Sequence, residues 1–470
     1  MARLRSRKHG RKRVRVGKPD VSLTGSAGVA ALAELVVRLG VVDVLDGHLG
    51  AIKQRDRGVS AGQLLVALAQ CQLLGGHGLV ALDHQRPDAA WQQLSAVPGV
   101  PSTTAASLAR RFGPEQLAGI ESATTRLLAS ALPMMPAAKR AALTTTDPTI
   151  DMDSTDVEVY GPGKQGVAFN YRGQRAGRPH LATWAEAGIT VAAELLAGND
   201  DVRPRAADML RRALAAIPAE VTGRPRVRAD AGYFTADLAH AADQAGCDYA
   251  IAAKRSTAMW RAYAGIGEHE WAEATDMEGA QVAACDYAPQ GWPDDAYTVV
   301  RRVRVNAEDI SVDPRARRRR TIPADQLSLA LGGALDQVWA VSFIVTNIPQ
   351  YEPADAVEVE AWFRRRTDIE DRIRDAKLGA ALRHLPSGHH EVNRVWMWAA
   401  LLACNLSVLL QAITGLDTAG RAHGERLRRE LLNVPARVIR HARGLELRLP
   451  PGPQILPEVL ARLRLLPTPA

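Results

Sequence analysis

The spacing of apolar residues changes along the chain, and the changes divide it. From about residue 26 to 140 apolar positions recur every three to four residues, broken by Gly and Pro. That spacing predicts helices over Gly28 to Leu45, Ala61 to Leu74 and Thr104 to Phe112. The last begins at Pro101-Ser102-Thr103-Thr104, a helix start with capping residues, and has Arg110 and Arg111 near its end. It follows a turn-rich stretch, as a helix-turn-helix-like DNA module would.

From Thr144 the period shortens to two. Thr149-Ile150-Asp151-Met152-Asp153-Ser154-Thr155 alternates like a strand, with Asp151 and Asp153 on one face and Ile150 and Met152 on the other. Further strand-like runs follow at Gly166 to Tyr171, His180 to Glu186 and Thr190 to Leu196, separated by Gly-rich turns. Arg203 to Ile217 is helical. Arg226 to Asp230 is a short strand ending in a carboxylate, followed by an Ala231-Gly232-Tyr233 turn, a helix from Thr235 to Ala245 and a strand from Asp248 to Ala253. This order predicts a mixed α/β layer architecture.

Residues 255–337 hold alternating segments (Gln281 to Tyr287, Tyr297 to Val305) and many turns, and read as a β-rich insertion. Val338 to Thr346 is a buried strand and Ala354 to Leu378 a helix. Helices resume from Glu391, and a basic helical tail, interrupted by Pro450, Pro451 and Pro453, runs beyond Thr414. The expected division is therefore a basic disordered arm (1–25), a helical DNA-binding region (26–140), a core in two parts (141–254 and 338–413) around the insertion (255–337), and the tail (414–470).

Composition sharpens this picture. A chain of 470 residues exceeds one ordinary core, and 47% apolar residues indicate packed structure rather than disorder. The net charge of +8 is uneven: Arg3, Arg5, Arg7, Lys8, Arg11, Lys12, Arg13, Arg15 and Lys18 precede the first acid, Asp20. Such arms touch polyanions. No apolar segment follows, so a secretory signal is not expected. Cys71, Cys247, Cys285 and Cys404 form no CxxC pair, which argues against zinc and a disulfide framework and fits a reducing cytoplasm. Val395 to Ile413 is apolar enough for a membrane span. It holds Asn405, Ser407 and Gln411, so a buried helix of a large domain is the reading adopted.

The chemistry concentrates in Phe363 to Lys377. On an α-helix, Phe363, Arg366, Glu370 and Lys377 fall within an arc of about 60°. Trp362, Ile369, Ile373 and Ala376 make an apolar stripe beside it, and Asp368, Asp371 and Asp375 point away. One carboxylate is thus held at the edge of a buried face between two cations. An i,i+4 ion pair from Arg366 to Glu370 is the ordinary alternative. Two upstream acids, Asp153 on an early strand and Asp230 ending a later one, tip the balance. Acids on rigid strands plus one on a helix suit divalent cations that activate water and stabilise a leaving oxygen of a phosphodiester.

Asp153-Ser154-Thr155, Arg228-Ala229-Asp230-Ala231-Gly232-Tyr233 and the spacing Phe363-x2-Arg366-x3-Glu370-x6-Lys377 resemble the signatures of bacterial insertion-sequence transposases of the DDE type. The helix matches that family's Tyr-Arg-Glu-Lys signature at all three spacings, with Phe363 in place of Tyr. Ile344-Val345-Thr346-Asn347 adds to the likeness, which spans roughly residues 145–410. The resemblance implies a ribonuclease H-like mixed sheet flanked by helices, interrupted by the β-rich insertion. It further implies two Mg²⁺ ions (Mn²⁺ as an alternative), with Asp153 bridging them and Asp230 and Glu370 each holding one. Arg366 and Lys377 would contact phosphates, and Phe363, Arg374, Arg318 and Arg319 complete the expected DNA-binding set. Asp151 is the second choice for the first metal ligand; Ser154-Thr155 favours Asp153.

The expected activity is cleavage at inverted-repeat ends and strand transfer into target double-stranded DNA, by a homodimer or larger assembly in the cytoplasm at the nucleoid, away from membranes. The rivals are a metal-dependent nuclease without strand transfer and a DNA-binding protein that no longer catalyses. Secondary candidates are His180 before a strand, the His384, His389 and His390 group, and the insertion's Trp260, Trp271 and Trp292 as base-stacking platforms. The polybasic run from Arg315 to Arg320 offers phosphate contacts. Gly161-Pro162-Gly163-Lys164 is too short for a P-loop.

Overall fold

Hydrogen-bonded pairing, more than helix content, sets the architecture. The computed structural model describes residues 14–54 and 57–467, so residues 1–13 of the expected arm lie outside the described residues. Strand β1 (Leu23–Thr24) leads into helices α1 (Val29–Arg38), α2 (Val41–Leu49), α3 (Ala61–Leu73), α4 (Ala81–Gln85), α5 (Ala89–Leu94), α6 (Ser102–Ala109), α7 (Pro114–Ala131) and α8 (Ala137–Thr145). The helix expected over Gly28 to Leu45 is two, because Gly40 at φ +60° turns the chain between α1 and α2. Ser60 and Gln63 close a reciprocal capping box at the start of α3, and every residue of α3 except Gln63 is buried.

A large sheet follows. Its first part is β2 (Thr149–Ser154), β3 (Val157–Glu158), β4 (Ala168–Phe169), β5 (Arg175–Trp184), β6 (Ile189–Ala197), α9 (Arg203–Ala215), β7 (Arg226–Ala229), α10 (Ala236–Gln244) and β8 (Asp248–Ala252). Strand β5 runs antiparallel between β2 and β6, whereas β2, β7 and β8 are mutually parallel neighbours. The mixed α/β class expected from the alternation is what the chain forms, with helices flanking the sheet.

The segment 255–337 contains α11 (Thr257–Ala264), β9 (Ala272–Glu273), β10 (Ala280–Cys285), β11 (Tyr297–Asn306) and α12 (Ala324–Leu331), and β12 (Gln337–Thr346) succeeds it. These strands do not close on themselves. β12 pairs antiparallel with β8, and β11, β10 and β9 follow in order, so the insertion extends the central sheet to eleven strands.

Next come α13 (Pro353–Arg364) and α14 (Asp368–Gly379), separated by a 3₁₀ turn at Arg365–Thr367. The single helix expected over Ala354 to Leu378 is therefore broken. The tightened turn changes the angle per residue and lets arginines two positions apart serve different sides. Arg364 donates to the carbonyls of Thr275 (2.5 Å) and Asp276 (3.4 Å), while Arg366 reaches the acids of the sheet.

The long apolar helix α15 (His390–Thr414) is interior: its most apolar window is 94% buried. It packs on α3, and the Gln72 amide donates to the Trp396 carbonyl at 3.1 Å. One continuous core runs from α1 through the sheet to α15. Beyond it lie α16 (Gly424–Leu427), β13 (Ala436–His441), β14 (Gly444–Arg448) and α17 (Leu456–Arg464). The tail expected to be helical thus contains a hairpin. Ala436 and Val438 alternate inward, Gly444 at φ +144° accommodates the reversal, and β13 pairs with β1.

Candidate active site

The register of two strands assembles the acids. In the parallel pair β2–β7, Asp151 lies opposite Arg228 and Met152 opposite Ala229. One step further along that register brings Asp230 alongside Asp153, on strands about 4.8 Å apart. Because side chains alternate, Asp151, Asp153, Arg228 and Asp230 all project from one face.

The two aspartates of β2 have different fates. Asp151 is only 1% exposed and accepts two bonds from Arg228, from Nε at 2.7 Å and from the terminal nitrogen at 2.8 Å. The other arm of Arg228 donates to the Trp362 carbonyl at 2.5 Å, and its guanidinium lies 5.2 Å from the Trp362 ring centre. Asp151 is thereby committed to an internal ion pair. Asp153 instead lines an open cleft of about 740 Å³ together with Thr155, Asp156, Asp230, Tyr233, Arg172, Lys254 and Lys377.

Arg366 bridges the sheet and the helix, 3.5 Å from Asp153 and 3.6 Å from Glu370. Burial pushes the Asp153 carboxyl up to about 6, with the charges of Asp230 and Glu370 adding to the rise and Arg366 opposing it. The Asp230 side chain caps its own turn: Oδ1 accepts from the Gly232 amide at 2.8 Å. The turn reading of Asp230 and the site reading therefore coexist. Glu370 is 60% exposed. Lys377 donates to Thr155 Oγ1 at 2.6 Å and to the Asp156 carbonyl at 2.9 Å, and burial holds its pKa below the usual lysine range.

Oxygen donors of this kind suit a hard divalent cation, and Asp153, Asp230 and Glu370 are the residues that would hold one. Among the described residues, no three His, Cys, Asp or Glu side chains already close around a single point.

The remaining expected residues lie elsewhere. Phe363 packs with Ala250, Val282, Ile344 and Val359 in an apolar cluster, because the 3₁₀ turn takes it off the arc shared by Arg366 and Glu370. Arg374 pairs with Asp371 at the surface. Arg319 is spent on the carbonyls of Ser311 (3.2 Å) and Val312 (3.1 Å), and Arg318 sits beside it in the same exposed loop. The insertion tryptophans are packed: Trp260 against Phe343, Trp271 under Arg302, and Trp292 between Phe234 and Tyr249. His384 stacks edge-on with His77.

Two residues of the Asp230 motif have surroundings that the sequence does not reveal. Arg228 was visible as a cation two residues before Asp230 and so on its face, but its partner depends on strand register. Tyr233 is fully buried; that burial, and after it the charges of Asp153 and Asp230, raise its phenol pKa well above the usual value. His180, aligned with Ser154 across β2–β5, stacks 5.5 Å from Tyr233 and is anchored by Glu194 at 2.9 Å.

Asp153 and Asp230, from adjacent parallel strands, and Lys377 from α14 thus converge on one open cleft. The family model for transposase DDE domain group 1 matches residues 6–315 and 333–468, and the chain belongs to that family of transposases. No curated protein matches it. Among solved structures it is similar to a piggyBac transposase synaptic complex with hairpin DNA, determined by cryo-EM. That likeness has a TM-score of 0.40 and 8% identity, over 87% of this chain and 79% of that one, and no residue role is taken from it.

Proposed function

We propose that the protein cleaves DNA at the inverted-repeat ends of its own element and joins the freed 3′-hydroxyl to target DNA. The observation that carries this reading is the alignment of Asp153 with Asp230, with Arg366 linking Asp153 to Glu370. The order β6-β5-β2-β7-β8, antiparallel then parallel, fits the ribonuclease H-like core implied by the motifs.

Divalent cations, Mg²⁺ or Mn²⁺, held by Asp153, Asp230 and Glu370 would supply activation of the attacking oxygen and charge relief at the leaving one. The protein's own share is positional. Strands β2 and β7 position two carboxylates, α14 brings Lys377 to the same cleft, and Arg366 ties Glu370 to Asp153. Arg366 is placed to exchange its carboxylate contacts for a scissile phosphate, and Lys377 to hold a neighbouring phosphate while anchored on the β2–β3 connection. Joining two ends calls for a dimer or larger assembly on DNA, acting at the nucleoid.

Purified protein incubated with end-sequence duplex and Mg²⁺ separates the readings. Joined products support transposition. Cut products alone indicate a nuclease, and a shifted but intact duplex indicates a binding protein.

A further inference from the structure

Tyr160 (86% exposed), Phe169 (67%) and Tyr171 (81%) all lie within twelve residues, in the connection from β3 to β5. Aromatic residues make up only 5% of the chain, and most of its large rings are packed. Such exposure in a loose loop would mean little. This connection is firmly built.

Asn170 is buried, and its side-chain oxygen accepts from the amides of Arg172 (2.9 Å) and Gln174 (3.0 Å), while its amide donates to Asp156 at 2.8 Å. Gly173 at φ +74° completes the turn. Asp156 in turn takes Arg178 at 2.9 Å, and its carbonyl holds Lys377. The Arg175 guanidinium ties down the carbonyls of Gly161 (2.7 Å) and Pro162 (2.6 Å), and Lys164 reaches the Ser387 carbonyl at 3.2 Å. The rings are thus displayed on a scaffold linked through Asp156 to the site lysine.

Tyr171 lines the same cleft as Asp153 and Asp230. Arg172 donates to its hydroxyl at 2.9 Å and lies 5.3 Å from its ring centre. Among the described residues, neither Arg172 nor Lys254, also in the cleft, has a carboxylate within ion-pair distance. A rigid aromatic face beside unpaired cations, at the lip of an acidic site, matches the requirements of an unpaired nucleotide: a ring to stack on and a charge for its phosphate.

We propose that the Tyr171-Arg172 turn, flanked by Tyr160 and Phe169, is a stacking site for unpaired bases of the DNA strand next to the scissile phosphate. This rests on the transposase reading above. Its occupant is a single-stranded nucleotide, not the duplex.

The test compares duplexes with blunt ends and with a three-nucleotide single-stranded overhang carrying 2-aminopurine, bound to the full-length protein in EDTA. The expected result is roughly tenfold tighter binding of the overhang, with quenched 2-aminopurine emission as the base stacks. Tyr171→Ala abolishes both the preference and the quenching while blunt-duplex affinity stays unchanged. Tyr171→Phe retains both, and Tyr351→Ala, an exposed ring outside the hairpin, changes neither. Equal affinity for the two duplexes, or a preference that survives Tyr171→Ala, overturns the proposal. So does a Tyr171→Ala effect on oligomer size with no change in base emission, which makes the antiparallel β4–β5 turn a protein contact. Cleavage of end DNA in Mg²⁺ is measured separately. Intact cleavage without the overhang preference removes the stacking site alone, and overhang preference without cleavage removes the transposase reading alone.

Discussion

Arg228 grips Asp151 through two parallel hydrogen bonds and uses its remaining arm to hold the Trp362 carbonyl, joining β2, β7 and the end of α13 at one point. That point lies four residues before Arg366 and eight before Glu370. The clamp therefore fixes where the helical acid enters the site. Of the neighbouring aspartates, Asp151 is occupied by an internal cation, whereas Asp153 faces the cleft.

Asp151→Asn is expected to act through stability. It leaves Arg228 buried beside a neutral amide, and breaking a buried pair in this way costs about 3–5 kcal/mol. Chemical denaturation should show the loss, and Asp151→Leu combined with Arg228→Met should recover much of it. An unchanged denaturation midpoint together with lost cleavage would return Asp151 to the reacting centre.

Asp153→Asn, Asp230→Asn and Glu370→Gln are each expected to abolish cleavage of end DNA while leaving end binding largely intact. Gel assays of cutting and of mobility on the same samples check both halves. Normal cutting by any one variant removes that residue from the site.

The raised carboxyl of Asp153 gives a pH signature. Its pKa in the folded protein, about 6, lies above the ordinary 3.8, so the folded state takes up the proton more readily than the unfolded chain. The resulting stabilisation is fully present below pH 3.8 and is lost as pH rises through about 6. At neutral pH the ionised group therefore costs stability, on the order of 1–3 kcal/mol. Cation-free Asp153→Asn should melt higher than the parent at pH 7.5, and the gap should shrink toward pH 5. Added Mg²⁺ should raise the melting temperature of the parent at pH 7.5 but not that of the variant. A variant that melts lower at pH 7.5 contradicts the assignment.

Gly232→Ala tests the placement of Asp230. A Cβ there would lie 2.8 Å from Asp230 Oδ1, the oxygen that accepts from the Gly232 amide. The backbone at Gly232 is not left-handed, so strain is small and the carboxylate is what must move. We expect about a tenfold loss of cleavage (about 1.4 kcal/mol of barrier) with little change in melting temperature. Undiminished cleavage would show that the Asp230 turn does not set the rate.

Much of the candidate site's geometry is legible in the sequence. The two-residue period of Thr149–Ser154 and Arg226–Asp230 put the acids on one face, and the spacing from Arg366 to Lys377 pointed to the helix. Phe363 was misplaced because a constant 100° per residue cannot anticipate the 3₁₀ turn at Arg365–Thr367. Local periodicity identifies strands but is silent on which strand pairs with which. Hence neither the pairing of Arg228 with Asp151 nor the continuity of the 255–337 strands with the main sheet is readable from local sequence. The β13–β14 hairpin was hidden by arginines at its outward positions, which read equally well as a basic helix. Tyr233 stands in the sequence only as the end of the Asp230 motif; its burial beside Asp153 and Asp230 follows from the tertiary packing.

Because α15 is shared by the N-terminal helices and the large sheet, neither half has a finished interior without the other. Severing the chain after α8 would wet the flank of α3 that now rests on α15, and both pieces would lose apolar cover. Retargeting such an enzyme by exchanging whole modules between relatives is thus unpromising. Altered specificity has to be introduced at the surface, side chain by side chain, on an undivided scaffold.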